Sequence, residues 1–273
     1  MKFHSLSVYV MVCFFSSASV AHSYQFELSG ALAHTELSSD NFSGNVEVDS
    51  TAIEGRFYLR PVNESSGPLF ERAFLDKAAS IGLSYGQAEP EDGNNTDTIG
   101  VDARFVTLSN TVFEARYSTT EPPVGDELNE YRLGAGKYTE DRTLILGTFS
   151  RVESGSLNLD TLSVTGRKLN TGGNADTFIA YEGNIDFLIA SNDFDDENGF
   201  GLGWKFTYYP SLQLGLGAGF SFRDIDGFDV TTFGVDLTYF LNESIFTTAG
   251  FQRSNDSADI DTDILALGIA FRF

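Results

Sequence analysis

From Tyr24 to Phe273 the chain alternates apolar residues with small or polar ones at a period of two, the spacing that sends successive side chains of an extended strand to opposite faces. The late segments show it best. Phe200, Leu202, Trp204, Phe206 and Tyr208 alternate with Gly201, Gly203, Lys205, Thr207 and Tyr209. Leu265, Leu267, Ile269, Phe271 and Phe273 alternate with Ala266, Gly268, Ala270 and Arg272. The pattern predicts about fourteen strands, near 24–35, 46–60, 78–88, 97–108, 111–119, 128–138, 142–152, 157–168, 177–190, 199–209, 212–223, 229–241, 244–254 and 263–273. The segments 142–152 and 157–168 are the least regular, so twelve is the alternative count. Short connections near Leu108–Asn110, Thr139–Asp141, Tyr209–Ser211 and Asn242–Glu243 alternate with longer acidic ones, at 38–49, 89–97, 121–127, 192–198, 224–227 and 255–263.

A soluble sandwich would bury the apolar faces and clothe the outer ones in Lys, Glu and Thr. Here the faces opposite the apolar ones hold mainly Gly, Ala and Ser with isolated charges. Small residues suit a curved wall that encloses space, while bulky ones suit a surface against hydrocarbon. The fold class expected is therefore all-β, a transmembrane antiparallel up-and-down β-barrel. Closure satisfies every backbone N–H and C=O without water, and an even strand count brings both ends to the short-turn rim.

Composition and charge sharpen this reading. The chain has 27 Gly, 25 Phe and 11 Tyr against 6 Pro and 2 Met, a mixture that favours strands over helices. Lys2 and His4 precede an apolar stretch over Leu6–Phe15 and a small-x-small site at Ala21-His22-Ser23, so residues 1–23 are expected to be a secretory signal and 24–273 the barrel domain. Removing 1–23 takes away Lys2 and no acid, leaving 16 − 39 = −23. That charge excludes nucleic acid as a partner. The lone cysteine, Cys13, lies in the signal, so the mature chain has no thiol for disulfides, metal binding or catalysis. No cofactor is implied.

Charges on the inferred inner face nearly balance. Glu27, Glu54, Asp102, Glu114, Glu130, Glu182, Asp186 and Asp236 share it with Arg56, Arg60, Arg104, Arg116, Arg132, Arg167, Lys205, Arg223 and Arg272. Four strands carry acid and base two residues apart: Glu54 with Arg56, Asp102 with Arg104, Glu114 with Arg116, and Glu130 with Arg132. These residues are expected to line a water-filled lumen and tune which solutes pass. The alternative is a bridged ladder that fills a narrow or shut barrel. Most of the acids fall in connections, including Asp193-Phe194-Asp195-Asp196-Glu197 and Asp256–Asp263. None has calcium-loop spacing, so no metal site is expected there.

One connection breaks the short-turn rule. Pro61–Lys77 carries Leu69, Phe70, Ala73 and Phe74 at helical spacing after Ser66 and Pro68, and predicts a short amphipathic helix at the periplasmic rim. A plug in the lumen is the sharper alternative, although seventeen residues obstruct such a barrel only in part. Here Leu59-Arg60-Pro61-Val62 followed by Gly67-Pro68-Leu69, Glu71, Ala73-Phe74-Leu75 and Ala78-Ala79-Ser80 resembles the porin family of marine and related Gammaproteobacteria. The closing strand is similar to those of outer-membrane barrels of Gram-negative bacteria, and the resemblance assigns Phe271 and Phe273 to the membrane-assembly signal read by the assembly machinery. It also implies the outer membrane as location, with its lipids and lipopolysaccharide as surroundings.

Other classes fit less well. A barrel lipase or lipid A deacylase needs His beside Ser, and the mature chain retains one histidine, His34, whose parity turns it outward. A long-chain hydrophobic transporter would need an N-terminal hatch, and strand residues begin at Tyr24. A structural or adhesive barrel remains the alternative to a channel, but fourteen strands enclose more than side chains fill. The expectation is an outer-membrane porin, a passive diffusion channel for small hydrophilic solutes, without catalysis. Solute identity and oligomeric state are not legible in the sequence.

Overall fold

The structure, a computed structural model, describes residues 23–39, 45–63, 67–91, 93–123, 125–139, 142–172, 177–191, 196–226 and 228–273. Residues 1–22 of the expected signal, with Cys13, as well as Ser66, Glu140-Asp141 and the acidic Asp193-Phe194-Asp195, lie outside them. Fourteen strands follow one another: β1 (Tyr24–Ser39), β2 (Val46–Val62), β3 (Ser80–Pro90), β4 (Thr96–Val106), β5 (Thr111–Glu121), β6 (Leu128–Tyr138), β7 (Thr143–Ser154), β8 (Leu157–Thr171), β9 (Phe178–Ser191), β10 (Asp196–Tyr209), β11 (Leu214–Ile225), β12 (Phe228–Asn242), β13 (Ile245–Asp256) and β14 (Ile260–Arg272). Each pairs antiparallel with its sequence neighbours, and β1 pairs with β14 to close the barrel. The alternative of twelve strands falls away. The irregular pair β7 and β8 is a regular hairpin whose tight turn holds Gly155 at φ 58°.

Leu83, Ile99, Leu133, Phe187, Trp204 and Leu267 stand exposed on the outer face as parts of one apolar band around the wall. So large an apolar surface has no place in water and calls for hydrocarbon. Where the band gives way to polar residues, tyrosines mark the edge. Tyr85 donates to Asp97 at 2.8 Å, Tyr117 donates to Asn129 at 2.8 Å, and the rings of Tyr117 and Tyr131 lie 5.1 Å apart. Amphipathic rings at that level form the girdle typical of membrane barrels.

One expectation needs correction. The contrast between short and long connections is slight, because strands run into segments read as loops. β1 continues to Ser39, β9 to Ser191, and β10 begins at Asp196. Glu36, Glu47, Asp49, Glu89, Asp97, Asp261 and Asp263 therefore stand on strands. Ladder hydrogen bonds need no apolar side chains, so pairing persists beyond the hydrocarbon where periodicity fades. These ends also carry outward ion pairs, Arg151 with Asp160 and Arg253 with Asp261, each at 2.7 Å.

Candidate functional site

The inner wall is built by the residues whose neighbours face outward. Glu54, Arg56, Asp102, Arg104, Glu114, Arg116, Glu130, Arg132, Glu182, Asp186, Lys205, Arg223 and Asp236 all fall on it by strand parity. They are not paired as spacing along one strand suggests. Glu54 does bind Arg56, Oε1 accepting from Nη2 at 2.7 Å. Arg104, however, binds Glu114 on the next strand, its Nε donating at 2.6 Å, rather than Asp102 on its own. Residues two apart on a strand are separated by about 6.6 Å, whereas cross-strand partners come closer.

A second device was not foreseen. Several ion pairs span two strands by passing over a glycine in the strand between. Arg56 of β2 reaches Asp102 of β4 with two hydrogen bonds, at 2.8 and 3.0 Å, crossing β3 at Gly82. A Cβ at Gly82 would strike the Asp102 carboxylate and lie 3.1 Å from Arg56 Nη2. Asp186 and Arg223 meet at 3.7 Å across Gly201, and Lys205 meets Asp236 at 2.7 Å across β11, where Gly217 leaves room for that carboxylate. These glycines are slots for ion pairs as well as space for a lumen. Gly82→Val is expected to break the Arg56–Asp102 bridge and cost about 1–2 kcal/mol. Urea unfolding of the refolded barrel checks it.

The segment between β2 and β3 settles the choice between rim helix and plug. Its 3₁₀ turn, Leu69–Glu71, runs into a single-turn helix, α1 (Arg72–Leu75). It crosses the barrel at the rim that holds Tyr24 and Arg272, packed against residues of β5 to β9 on one side and β12 to β14 on the other. Leu69 packs with Phe240, Phe246 and Ala270 on one side of the wall, and Phe74 with Val112, Tyr138, Leu144, Leu146, Leu169 and Phe178 on the other. Each such burial contributes about 1.5–3 kcal/mol.

Polar contacts fasten this floor. Glu71 is 1% exposed; its carboxylate accepts from Arg167 Nη2 at 2.7 and 2.8 Å and from the Tyr209 hydroxyl at 2.6 Å. The Arg167 guanidinium lies 4.7 Å from the Phe74 ring centre and 3.7 Å from Glu182. The Leu69 N–H donates to the Leu212 carbonyl at 2.9 Å, and Arg272 Nη1 donates to the Leu69 carbonyl at 2.7 Å. The Asp76 carboxyl at the end of the segment is pushed up by desolvation, against the Asn63 N–H and Arg60, which pull it down. A cavity of about 230 Å³ lies just inside, lined in part by Glu71, Arg167, Glu182, Lys205 and Asp236.

Three of the expected lumen residues thus serve the floor: Arg167 through Glu71, and Arg272 and Arg60 through backbone carbonyls of the segment. Arg272 is buried, its Nε on Glu27 at 2.7 Å and its guanidinium against Tyr24, Phe240 and Phe246, so it faces no open water. Arg60 donates to the Asp76 carbonyl at 2.8 Å at the rim. Parity reported their face correctly and could not report the segment that covers it. The sequence reading missed Glu71 and Tyr209; the signal available was a carboxylate set among the apolar positions of a helical stretch. Phe271 and Phe273 stay on the outer face, and the backbone of Phe273 bonds Gln25 and Phe26 across the β1–β14 seam at 2.7 to 3.0 Å.

Among the described residues no group of three or more His, Cys, Asp or Glu side chains converges in a way that would hold a metal ion. His34 is exposed, with Nδ1 2.8 Å from Asp49 Oδ1.

An apolar belt outside, charge pairs inside and a folded segment across one end define an outer-membrane β-barrel of the porin class. The chain belongs to the family described as "Putative general bacterial porin", whose model matches residues 2–159. Among solved structures it is similar to the outer membrane protein Omp33 of Acinetobacter baumannii, with 23% identity and a TM-score of 0.65 over 92% of this chain and 99% of that one. It is also similar in fold to a bacterial polysaccharide outer membrane secretin, with 11% identity and a TM-score of 0.55 over 92% and 99% of the two chains. No curated protein matches the chain.

Proposed function

We propose that this barrel is a passive channel for small hydrophilic solutes, with its narrowest point at the segment that crosses the periplasmic end. The observation that carries the reading is the contrast between the two faces of one wall: hydrocarbon-compatible outside, and inside a set of charges held in pairs with glycines between them. A wall of that kind conducts water and ions where its bore is open. The chain performs no catalysis in this reading, since His34 stands on the outer face with a carboxylate partner rather than beside a nucleophile. Sec-dependent export, delivery through the barrel assembly machinery with Phe271 and Phe273 as its signal, and a surrounding of lipid and lipopolysaccharide belong to the same proposal.

Conductance of the refolded protein in planar bilayers tests it. The expected result is a small current with a weak cation preference, since the chain's excess of acids enriches cations at its mouths, and the preference should fade between 0.1 and 1 M salt, as the Debye length falls from about 10 to 3 Å. The second reading, a structural or adhesive barrel, is favoured by the buried Glu71 node, which fixes the floor in place. A barrel that stays silent in the bilayer would support that reading and overturn the channel.

A further inference from the structure

One row of cross-strand neighbours on the inner face runs Arg272, Glu27, Arg56, Gly82, Asp102, Arg116, Arg132, Ser150. Its charges alternate until the last two, where Arg116 of β5 and Arg132 of β6 stand directly opposite each other. Like charges so placed repel. Two of the carboxylates that could relieve them are committed elsewhere, and a third makes no ion pair with either arginine. Asp102, the neighbour of Arg116 on the other side, is bound twice by Arg56; Glu114 is bound by Arg104. Glu130, two residues from Arg132, accepts from the Ser118 hydroxyl at 3.4 Å. Among the described residues every other basic side chain on the inner wall has a hydrogen-bonded or ionic partner within the protein; Arg116 and Arg132 have none.

We propose that Arg116 and Arg132 together form a binding station in the lumen for the carboxylate of a small organic anion. Two guanidinium forks present up to ten N–H donors, and their planar geometry matches the paired oxygens of a carboxylate, which a spherical anion does not offer. The repulsion between the two arginines is relieved when an anion sits between them, so the free barrel holds a site that its own carboxylates do not fill. The acid-rich mouth disfavours anions in general, and a local basic pair inside is a way to pass some of them selectively. The proposal deepens the channel reading, and rests on it for the solute's route through the wall but not for binding.

Saturation-transfer NMR on the refolded barrel in detergent, with butyrate as probe, measures binding without any current. Butyrate is expected to bind, butyramide not, and R116A/R132A to weaken butyrate about tenfold or more. The double variant removes a repulsion, so it should fold and resist heat at least as well as the native chain. R116K/R132K, which keeps both charges, should fold equally and bind butyrate more weakly than the native forks do. Butyrate binding untouched by R116A/R132A, equal binding of butyramide, or no binding at all would overturn the station. Inorganic phosphate bound more tightly than butyrate would overturn the carboxylate assignment. A barrel that binds butyrate through these arginines yet carries no current overturns the channel and leaves the station standing, while one that conducts without such binding does the reverse.

Discussion

Replacing Glu71 by alanine is expected to loosen the floor of the barrel and raise its conductance severalfold, with added current noise. Glu71 is the buried acceptor for both Arg167 and Tyr209, so the change leaves a buried hydroxyl and half a guanidinium without their partner. Breaking a buried pair costs roughly 3–5 kcal/mol, and Glu182 at 3.7 Å compensates Arg167 in part, which brings the expected loss to about 2–3 kcal/mol. That shifts the ratio of docked to undocked floor by about 30- to 150-fold. The apolar anchors Leu69 and Phe74 oppose full release, so the floor should fluctuate rather than leave. Trypsin cleavage after Lys77 should accelerate in step with the current. Glu71→Gln, which keeps an acceptor for Tyr209, should fall between the two. Unchanged conductance together with unchanged protection would mean that the node does not hold the floor.

Gly136→Val is expected to be among the most damaging single changes in the wall, costing on the order of 3 kcal/mol or more. Gly136 lies on β6 beside the cluster that seats Phe74, and a Cβ there would strike the Ile145 carbonyl oxygen and come within 2.8 Å of the Leu146 Cα. Backbone cannot swing aside as the end of a side chain can, so β7 would have to move and open the ladder at that rim. Gly166, on β8, offers the contrast: an added Cβ meets nothing within 4 Å. Gly166→Val should leave the heat-shifted folded band on a gel intact where Gly136→Val depletes it. Equal folding of the two variants would contradict this account of close approach.

The wall was legible from the sequence because a barrel between oil and water imposes a strict period of two. All fourteen strands follow from it, including β10 and β11 with Trp204 and Lys205 on opposite faces. Strand ends were less legible, since Glu36 or Asp261 can stay in a ladder with no apolar signature. The inner charges were legible as a face but not as partners. Which acid meets Arg56 depends on how far β3 and β4 are staggered and on the absence of a side chain at Gly82, and neither is a local property. The floor was least legible of all, since one helical turn has little periodicity and its partners lie as far away as Arg167, Tyr209 and Arg272.

Ion pairs that vault a glycine also solve an error that alternation cannot detect. A strand that slips by one residue turns its greasy side inward and is penalised at once, but a slip of two keeps every face correct. Such an even slip would change the shear of the closed sheet, and with it the diameter of the bore. Because Arg56 bolts β2 to β4, and Asp186 bolts β9 to β11, the strand between cannot slide in either direction without losing its place beneath the bolt. The charges on the inner wall thereby set the calibre of the barrel that carries them.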